Sequence, residues 1–282
     1  MFRNFTLREE FYVKPLKEAK SITTQRQENA AAKTPRLNVT RLGIVARSYS
    51  DGHKDFSHAM PAILRLLDGE RCDAALFSMD SIARQDSYDP WAGLGELRHV
   101  RTLFLEEQGG DAVVYHRASQ VQSESPFTQA FGRLKELSQS QIRGFVTDKI
   151  PKRVMGNCCL LLCGEINGVV CSHKDKPWKV HDVHGLMCKI PDSVDVILNP
   201  AHYRMIRPEM KLKRQFLSAK GRWSVSVWNK GKLFGGRTLD GTKPPWAVFC
   251  NQEEREVRAR TEFDVEIGVL DLRRCKDSRC RS

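Results

Sequence analysis

An α/β fold is predicted for this chain of 282 residues. Short, wholly apolar runs such as LGIVA, AALF and AVVY read as buried strands, and they alternate with stretches whose apolar residues recur at helical spacing. Later runs, CCLLLC, VDVIL and WSVSVW, continue the series of strands. No linker, repeat or low-complexity stretch interrupts residues 37–272, which are read as a single domain. A polar, basic extension (1–36) precedes it and a basic tail (273–282) follows it.

In order, 42–46 is the first strand. Residues 55–67 place Phe56, Met60, Ile63, Leu64 and Leu67 on one helical face, and Gly69 stops that helix. Residues 74–77 form the second strand. Leu97, Val100, Phe104 and Leu105 are read as a second amphipathic helix, closed by Gly109-Gly110, and 112–115 as a third strand. Residues 158–163 and 194–198 are strands. A helix starts at Pro208, where proline suits a first turn, and ends at Gly221. Residues 223–228 form a strand with Trp223, Val225 and Val227 on one face. After a short strand at 246–250, Phe263, Val265, Ile267 and Val269 alternate with polar residues in a half-buried strand.

The formal charge is +12. Residues 1–36 hold eight Lys/Arg against four Glu, and residues 273–282 hold five against one Asp, so only +4 belongs to the domain. The ends could track nucleic acid or an acidic surface; a solvated end is the favoured reading, so nucleic acid is an alternative through the tails alone. No window approaches the ~18–20 apolar residues of a membrane span, and the N-terminus lacks a signal-peptide pattern. Nine cysteines, several inside apolar runs, are read as reduced thiols in a cytoplasmic protein.

The sharpest local feature is Cys163-Gly164-Glu165-Ile166-Asn167-Gly168. A buried strand ends in a thiol at the position where α/β proteins gather ligands, and the glycines allow a tight turn that presents it. A thiol attacks well only as thiolate, so it needs a base, a cation or a helix N-terminus nearby. The equal alternative is a buried cysteine acting as a small hydrophobe. His173, His181, His184 and Cys188 do not match a zinc spacing and no CxxC pair supports them, so no metal site is expected. No phosphate-binding or dinucleotide fingerprint is present, and no cofactor is expected.

The order LGIVARS, helix, CDAALFSMD, DAVVYH, RLKEL, LLLCGEING, VDVILNPAH, helix, WSVSVWNKG and VEIGVLDL resembles the nitrilase (carbon–nitrogen hydrolase) superfamily over roughly 37–272. The most specific piece is LLCGEIN, similar to the family's nucleophile turn. The resemblance implies a four-layer α-β-β-α sandwich, a homodimer or larger homo-oligomer, and a Glu–Lys–Cys triad acting on a small-molecule nitrile or amide. Carried over, Cys163 is the nucleophile. Lys135, in Arg133-Leu134-Lys135-Glu136-Leu137, is the oxyanion stabiliser, with Lys149 and Lys152 as competitors. The family's glutamate is missing, because the second strand ends Phe77-Ser78-Met79-Asp80. Asp80 then serves as general base from a shorter side chain, or caps a turn while activity is altered or lost. Glu165, Asn167 and His202 are expected to line the substrate site. The expected function is therefore hydrolysis of non-peptide carbon–nitrogen bonds through a thioester or thioimidate. The alternative is a catalytically impaired binding or regulatory module on the same fold.

Overall fold

The structure, a computed structural model, describes residues 37–273 except 50–54, 84–87, 108–110, 118–120, 123–126, 133–136, 173–176, 203–206, 232, 235–236 and 239–242. The readings of the two chain ends, and of His173 and Lys135, lie outside the described residues.

The chain opens with β1 (Arg41–Arg47), α1 (Met60–Gly69) and β2 (Ala74–Phe77), followed by β3 (Thr102–Glu107), β4 (Asp111–His116), β5 (Val121–Gln122) and β6 (Phe127–Thr128). A short helix α2 (Gln139–Gly144) leads to β7 (Val154–Met155), β8 (Cys158–Leu160), the hairpin strands β9 (Val170–Ser172) and β10 (Lys179–His181), and the single turn α3 (Leu186–Lys189). Then come β11 (Val196–Ala201), α4 (Pro208–Leu217), β12 (Trp223–Trp228), the pair β13 (Leu233–Phe234) and β14 (Arg237–Thr238), β15 (Trp246–Cys250), β16 (Glu253–Arg255), β17 (Arg260–Glu262) and β18 (Val265–Asp271).

Two sheets carry the fold. The first runs β17-β18-β1-β2-β3-β4-β5, with β6 also paired to β4; the second runs β16-β15-β12-β11-β8-β7. Strands β1, β2 and β3 are mutually parallel, as are β8, β11 and β12.

Side chains alternate across a sheet, and the alternation sorts the core into layers. Leu42, Ile44, Leu76, Phe104 and Val114 of the first sheet meet Leu160, Leu198, Val225, Val227 and Val248 of the second in one central core. The opposite face of the first sheet, including Val45, Phe77, Leu103 and Leu105, buries Phe56, Met60, Ile63, Leu64 and Leu67, the apolar stripe on and just before α1. The opposite face of the second, Cys159, Leu161 and Ile197, buries Phe145, Val146, Leu186, Met210 and Leu217. The result is the α-β-β-α order that the resemblance implies.

Three expectations are corrected. Residues 102–107 form strand β3, not a helix: Leu103 and Leu105 fill the outer core while Phe104 fills the central one, so the run is apolar on both sides and carries no helical stripe. It pairs antiparallel with β4, Glu107 opposite Asp111, and the Gly109-Gly110 stop lies outside the described residues. The helix from Pro208 stops at Leu217. Finally, Cys72, Cys158, Cys159, Cys163, Cys171 and Cys188 are free, but Cys250 is disulfide-bonded, so the thiols are not uniformly reduced. No helix among the described residues is long and apolar enough to cross a membrane.

Candidate active site

The site lies where the parallel strands of both sheets end. The inward positions of β2 and β3 continue past the core residues Leu76 and Phe104 to Ser78 and to Glu106, and the Asp80 carboxylate joins them at the same edge. In the second sheet, the inward series of β8 runs through Leu160 and Leu162 to the turn at Cys163. That of β11 passes Leu198 and emerges at His202. The same alternation that fills the middle of the sandwich with apolar groups thus gathers polar ones at its rim.

Cys163 begins a tight 3₁₀ turn, Cys163–Gly168, with φ of 39°. That left-handed conformation costs a non-glycine residue about 1–3 kcal/mol and persists only where the surroundings impose it. They do so here from three sides. Glu165 is wholly buried and forms a bidentate ion pair with Arg153; its carboxylate also accepts from the backbone N–H of Ala130 (2.6 Å) and Leu162 (2.8 Å). Asn199 Nδ2 donates to the carbonyls of Leu161 (2.7 Å) and Cys163 (3.1 Å), while its Oδ1 accepts from Ser226 Oγ (3.0 Å), which accepts in turn from Arg214 Nε (2.9 Å). Asn167 donates to the Gly132 carbonyl (3.1 Å) and accepts from Lys213 Nζ (2.7 Å). Gly164 lies so near the Gly132 backbone that a Cβ would stand 2.2 Å from its oxygen.

Facing this turn, Asp80 also adopts a left-handed φ, 58°. Its backbone N–H donates to Glu106 Oε2 at 2.5 Å. Asn229 holds the same bend through Ser78 Oγ and the Met79 carbonyl (2.6 Å). Tyr49 Oη sits 3.2 Å from Asp80 Oδ2 and 2.9 Å from the His202 carbonyl, joining the two sheets. Burial and the charge of Asp80 outweigh the hydrogen bond from Asn229 and push the Tyr49 hydroxyl up to about 12, so it stays protonated.

His202 is the meeting point. Its Nε2 lies 3.2 Å from Glu106 Oε2 and 3.8 Å from Asp80 Oδ1. Burial disfavours its charged form, but the neighbouring Cys163 and Glu106 side chains prevail and raise it to about 10.

The structure therefore brings Cys163, Asp80 and His202 to one edge of the sandwich. Glu165 and Asn167 sit in the same turn, engaged with Arg153, Lys213 and Gly132. Glu106 was not among the sequence candidates. The signal for it was the strand period in TLFLEE, which puts Glu106 two residues beyond the inward Phe104.

Donor atoms of Asp80, Glu106 and His202 all lie within 4.8 Å of one another, a set whose chemistry suits a divalent cation. Glu106 Oε2 is already engaged by Asp80 N–H and His202 Nε2, whereas its Oε1 is buried with no hydrogen-bond partner among the described residues. Among the described residues, His181, His184 and Cys188 join no such group.

No protein-family model and no curated protein matches the sequence. Solved structures do match in fold. The chain is similar to the C. elegans NitFhit protein, with a TM-score of 0.53 and 10% identity over 86% of this chain and 63% of that one. Weaker likenesses are to a carbon-nitrogen hydrolase from Helicobacter pylori G27 (TM-score 0.49, 12% identity, 86% and 93% covered) and an amidase from Nesterenkonia sp. (TM-score 0.48, 12% identity, 86% and 94% covered). At such identities the likeness speaks to architecture. The class defined is one of fold, the architecture shared with the NitFhit structure.

Proposed function

We propose that this protein hydrolyses a non-peptide carbon–nitrogen bond, in a small amide or nitrile, through a covalent intermediate on Cys163. The observation that carries the reading is the thiol's setting. It is half-buried on a left-handed turn at the rim of the sandwich, beside the His202 imidazole and the Glu106–Asp80 carboxylate pair. A nucleophile with an acid–base group in hydrogen-bond reach, itself oriented by a third group, is what covalent catalysis requires. The resemblance of LLCGEIN to a nucleophile turn supports the same residue. Lys135 keeps its place as a proposed oxyanion stabiliser on that resemblance alone.

Incubation with a mixed amide and nitrile library, followed by mass spectrometry of the Cys163 peptide, tests the reading. An acyl or thioimidate adduct is expected on Cys163, and Cys163→Ala should abolish ammonia release. A chain that releases ammonia at the full rate as Cys163→Ala refutes it. A binding or regulatory module on the same fold would form no adduct with any member of the library.

A further inference from the structure

The geometry points to a divalent transition-metal site at the rim of the sandwich, held by Asp80, Glu106 and His202. The inference does not depend on Cys163 being a nucleophile, and it names a ligand for the cluster that faces its turn.

The spacing is that of donors around one ion. Two donors bound at about 2.0–2.2 Å to a common cation stand about 3.0–3.5 Å apart when adjacent in an octahedron or tetrahedron, and never more than about 4.4 Å. His202 Nε2 lies 3.2 Å from Glu106 Oε2 and 3.8 Å from Asp80 Oδ1, and the whole donor set falls within 4.8 Å. The charge of the cluster also calls for a cation. Glu106 is 2% exposed, and its Oε1 has no hydrogen-bond partner among the described residues. That oxygen belongs to the carboxylate whose Oε2 meets His202, so Glu106 can ligate through either oxygen or both. A buried carboxylate oxygen left over in this way is costly unless something binds it. Among the described residues, the ion-pair partner of both carboxylates is His202, with no lysine or arginine on either. A hydrogen-bond donor would satisfy one oxygen, whereas a divalent cation would also neutralise both carboxylates.

The ligands are fixed by backbone on two sheets. Ser81 and Ile82 N–H donate to the Glu106 carbonyl (3.0 and 3.1 Å), and Glu106 N–H donates to Ser81 Oγ (3.2 Å). These bonds lock the bend that carries Asp80 to the end of β3. Across to the second sheet, Met79 N–H donates to the Ala201 carbonyl at 3.3 Å, beside His202. Tyr49 Oη donates to the His202 carbonyl at 2.9 Å and stands 3.2 Å from Asp80 Oδ2, leaving Oδ1 on the side of the imidazole. Partners that orient a ligand from behind in this way tune metal affinity.

One imidazole with two carboxylates is a mixed nitrogen–oxygen set. Magnesium and calcium prefer oxygen alone, and imidazole favours transition ions such as zinc. Histidine ligates as the neutral ring, so binding displaces its proton. Three protein ligands leave coordination open to water, whose acidity the ion raises. That water would then be the acid–base group beside Cys163.

The test strips the full chain with EDTA and titrates it with Co²⁺ alone, read by visible absorption. One ion per chain is expected, with ligand-field bands and without the near-ultraviolet charge transfer of thiolate ligation. His202→Asn and Glu106→Gln should each weaken binding at least ~100-fold, and Tyr49→Phe, which removes an orienting contact, about 10-fold. Cys163→Ala should bind as the natural chain does. Where buried Glu106→Gln fails to fold, His202→Asn, at a side chain 27% exposed, carries the test. Co²⁺ should raise the melting temperature of the natural chain but not of that variant. Uptake unchanged in His202→Asn overturns the site as adventitious binding. Charge transfer that vanishes in Cys163→Ala overturns it as thiolate ligation, and displacement by equimolar Mg²⁺ overturns the transition-metal assignment. Amide adducts on Cys163 in a chain that takes up no Co²⁺ overturn the site and leave the hydrolase reading standing. Co²⁺ binding with no adduct in either the loaded or the stripped chain upholds the site and sinks that reading instead.

Discussion

At the scale of single residues, the costliest interaction in the site is the buried ion pair of Arg153 and Glu165, whose side chains are 2% and 0% exposed. Such pairs contribute little net stability, because desolvation offsets attraction; breaking one by removing a partner costs about 3–5 kcal/mol. Here the pair is surrounded. Arg153 also donates to the Thr128 carbonyl at 2.9 Å and lies over the rings of Phe127 and Phe145. Glu165→Ala should therefore lower the melting temperature by roughly 10 °C, at the ~2–4 °C per kcal/mol expected for a domain of this size. The double variant Arg153→Met/Glu165→Leu should recover most of that loss in calorimetry while leaving Cys163 less ordered and less reactive, since the backbone N–H of Leu162 and Ala130 would lose their acceptor. A double variant with full thiol reactivity would show that the pair does not position the nucleophile. The sequence offered Cys163 and Glu165 two residues apart, but it could not show that the second clamps the first. That depends on Arg153, twelve residues upstream, and nothing in the local pattern marks that arginine as buried.

At the scale of elements, the strand-to-turn junction after β8 decides whether the thiol is presented. Gly164 is the one residue type that fits there, because a Cβ would meet the Gly132 carbonyl carbon at 2.7 Å and its oxygen at 2.2 Å, and both are backbone atoms that cannot swing aside. Gly164→Ala should cost about 1–3 kcal/mol, the usual range for overpacking, and should reduce alkylation of Cys163 at least tenfold; an unchanged rate would mean the turn tolerates displacement. The turn was legible in the sequence, where an apolar run ends in a thiol followed by a glycine, though the same residues read equally well as a buried structural cysteine. Strand β3 was not. Leu103, Phe104 and Leu105 are consecutive and apolar because both faces of the first sheet are covered, and such a run fits a buried helix and a buried strand equally well. Misreading it hid Glu106, whose inward direction follows only from a period of two. The strands β2, β12 and β15 were placed to the residue, their apolar runs being bounded sharply by polar or turn residues. The end of β2 carries Asp80 to the edge where Glu106 and His202 meet.

At the scale of the whole molecule, the first sheet is held to its connections by buried or half-buried aspartates, and this sets how the fold responds to acid. Asp68, at the end of α1, accepts from the backbone N–H of Arg98 (3.0 Å), His99 (2.6 Å) and Val100 (3.0 Å), drawing the approach to β3 against the helix. Asp55, just before α1, accepts from Ser57 N–H (2.9 Å) and Ala83 N–H (2.7 Å), drawing the exit of β2 the same way. Burial works against charge at both, but these hydrogen bonds outweigh it and hold each carboxyl below the usual range. A depressed carboxylate stabilises the fold fully above its unfolded value of about 3.9, and that contribution is lost as pH falls through the lower, folded value. The chain already carries a formal +12, and acid adds further self-repulsion, so falling stability below pH 4 does not by itself identify the aspartates. Asp68→Asn separates the two causes. At pH 7 it should be less stable than the natural chain by about 1–2 kcal/mol, the loss expected for charge-assisted hydrogen bonds. As pH drops from 4 toward 2, the natural chain loses what the variant never had, and the difference between their urea-unfolding free energies should shrink toward zero. A difference that stays constant across that range would assign the acid sensitivity to net charge alone and remove Asp68 from the account.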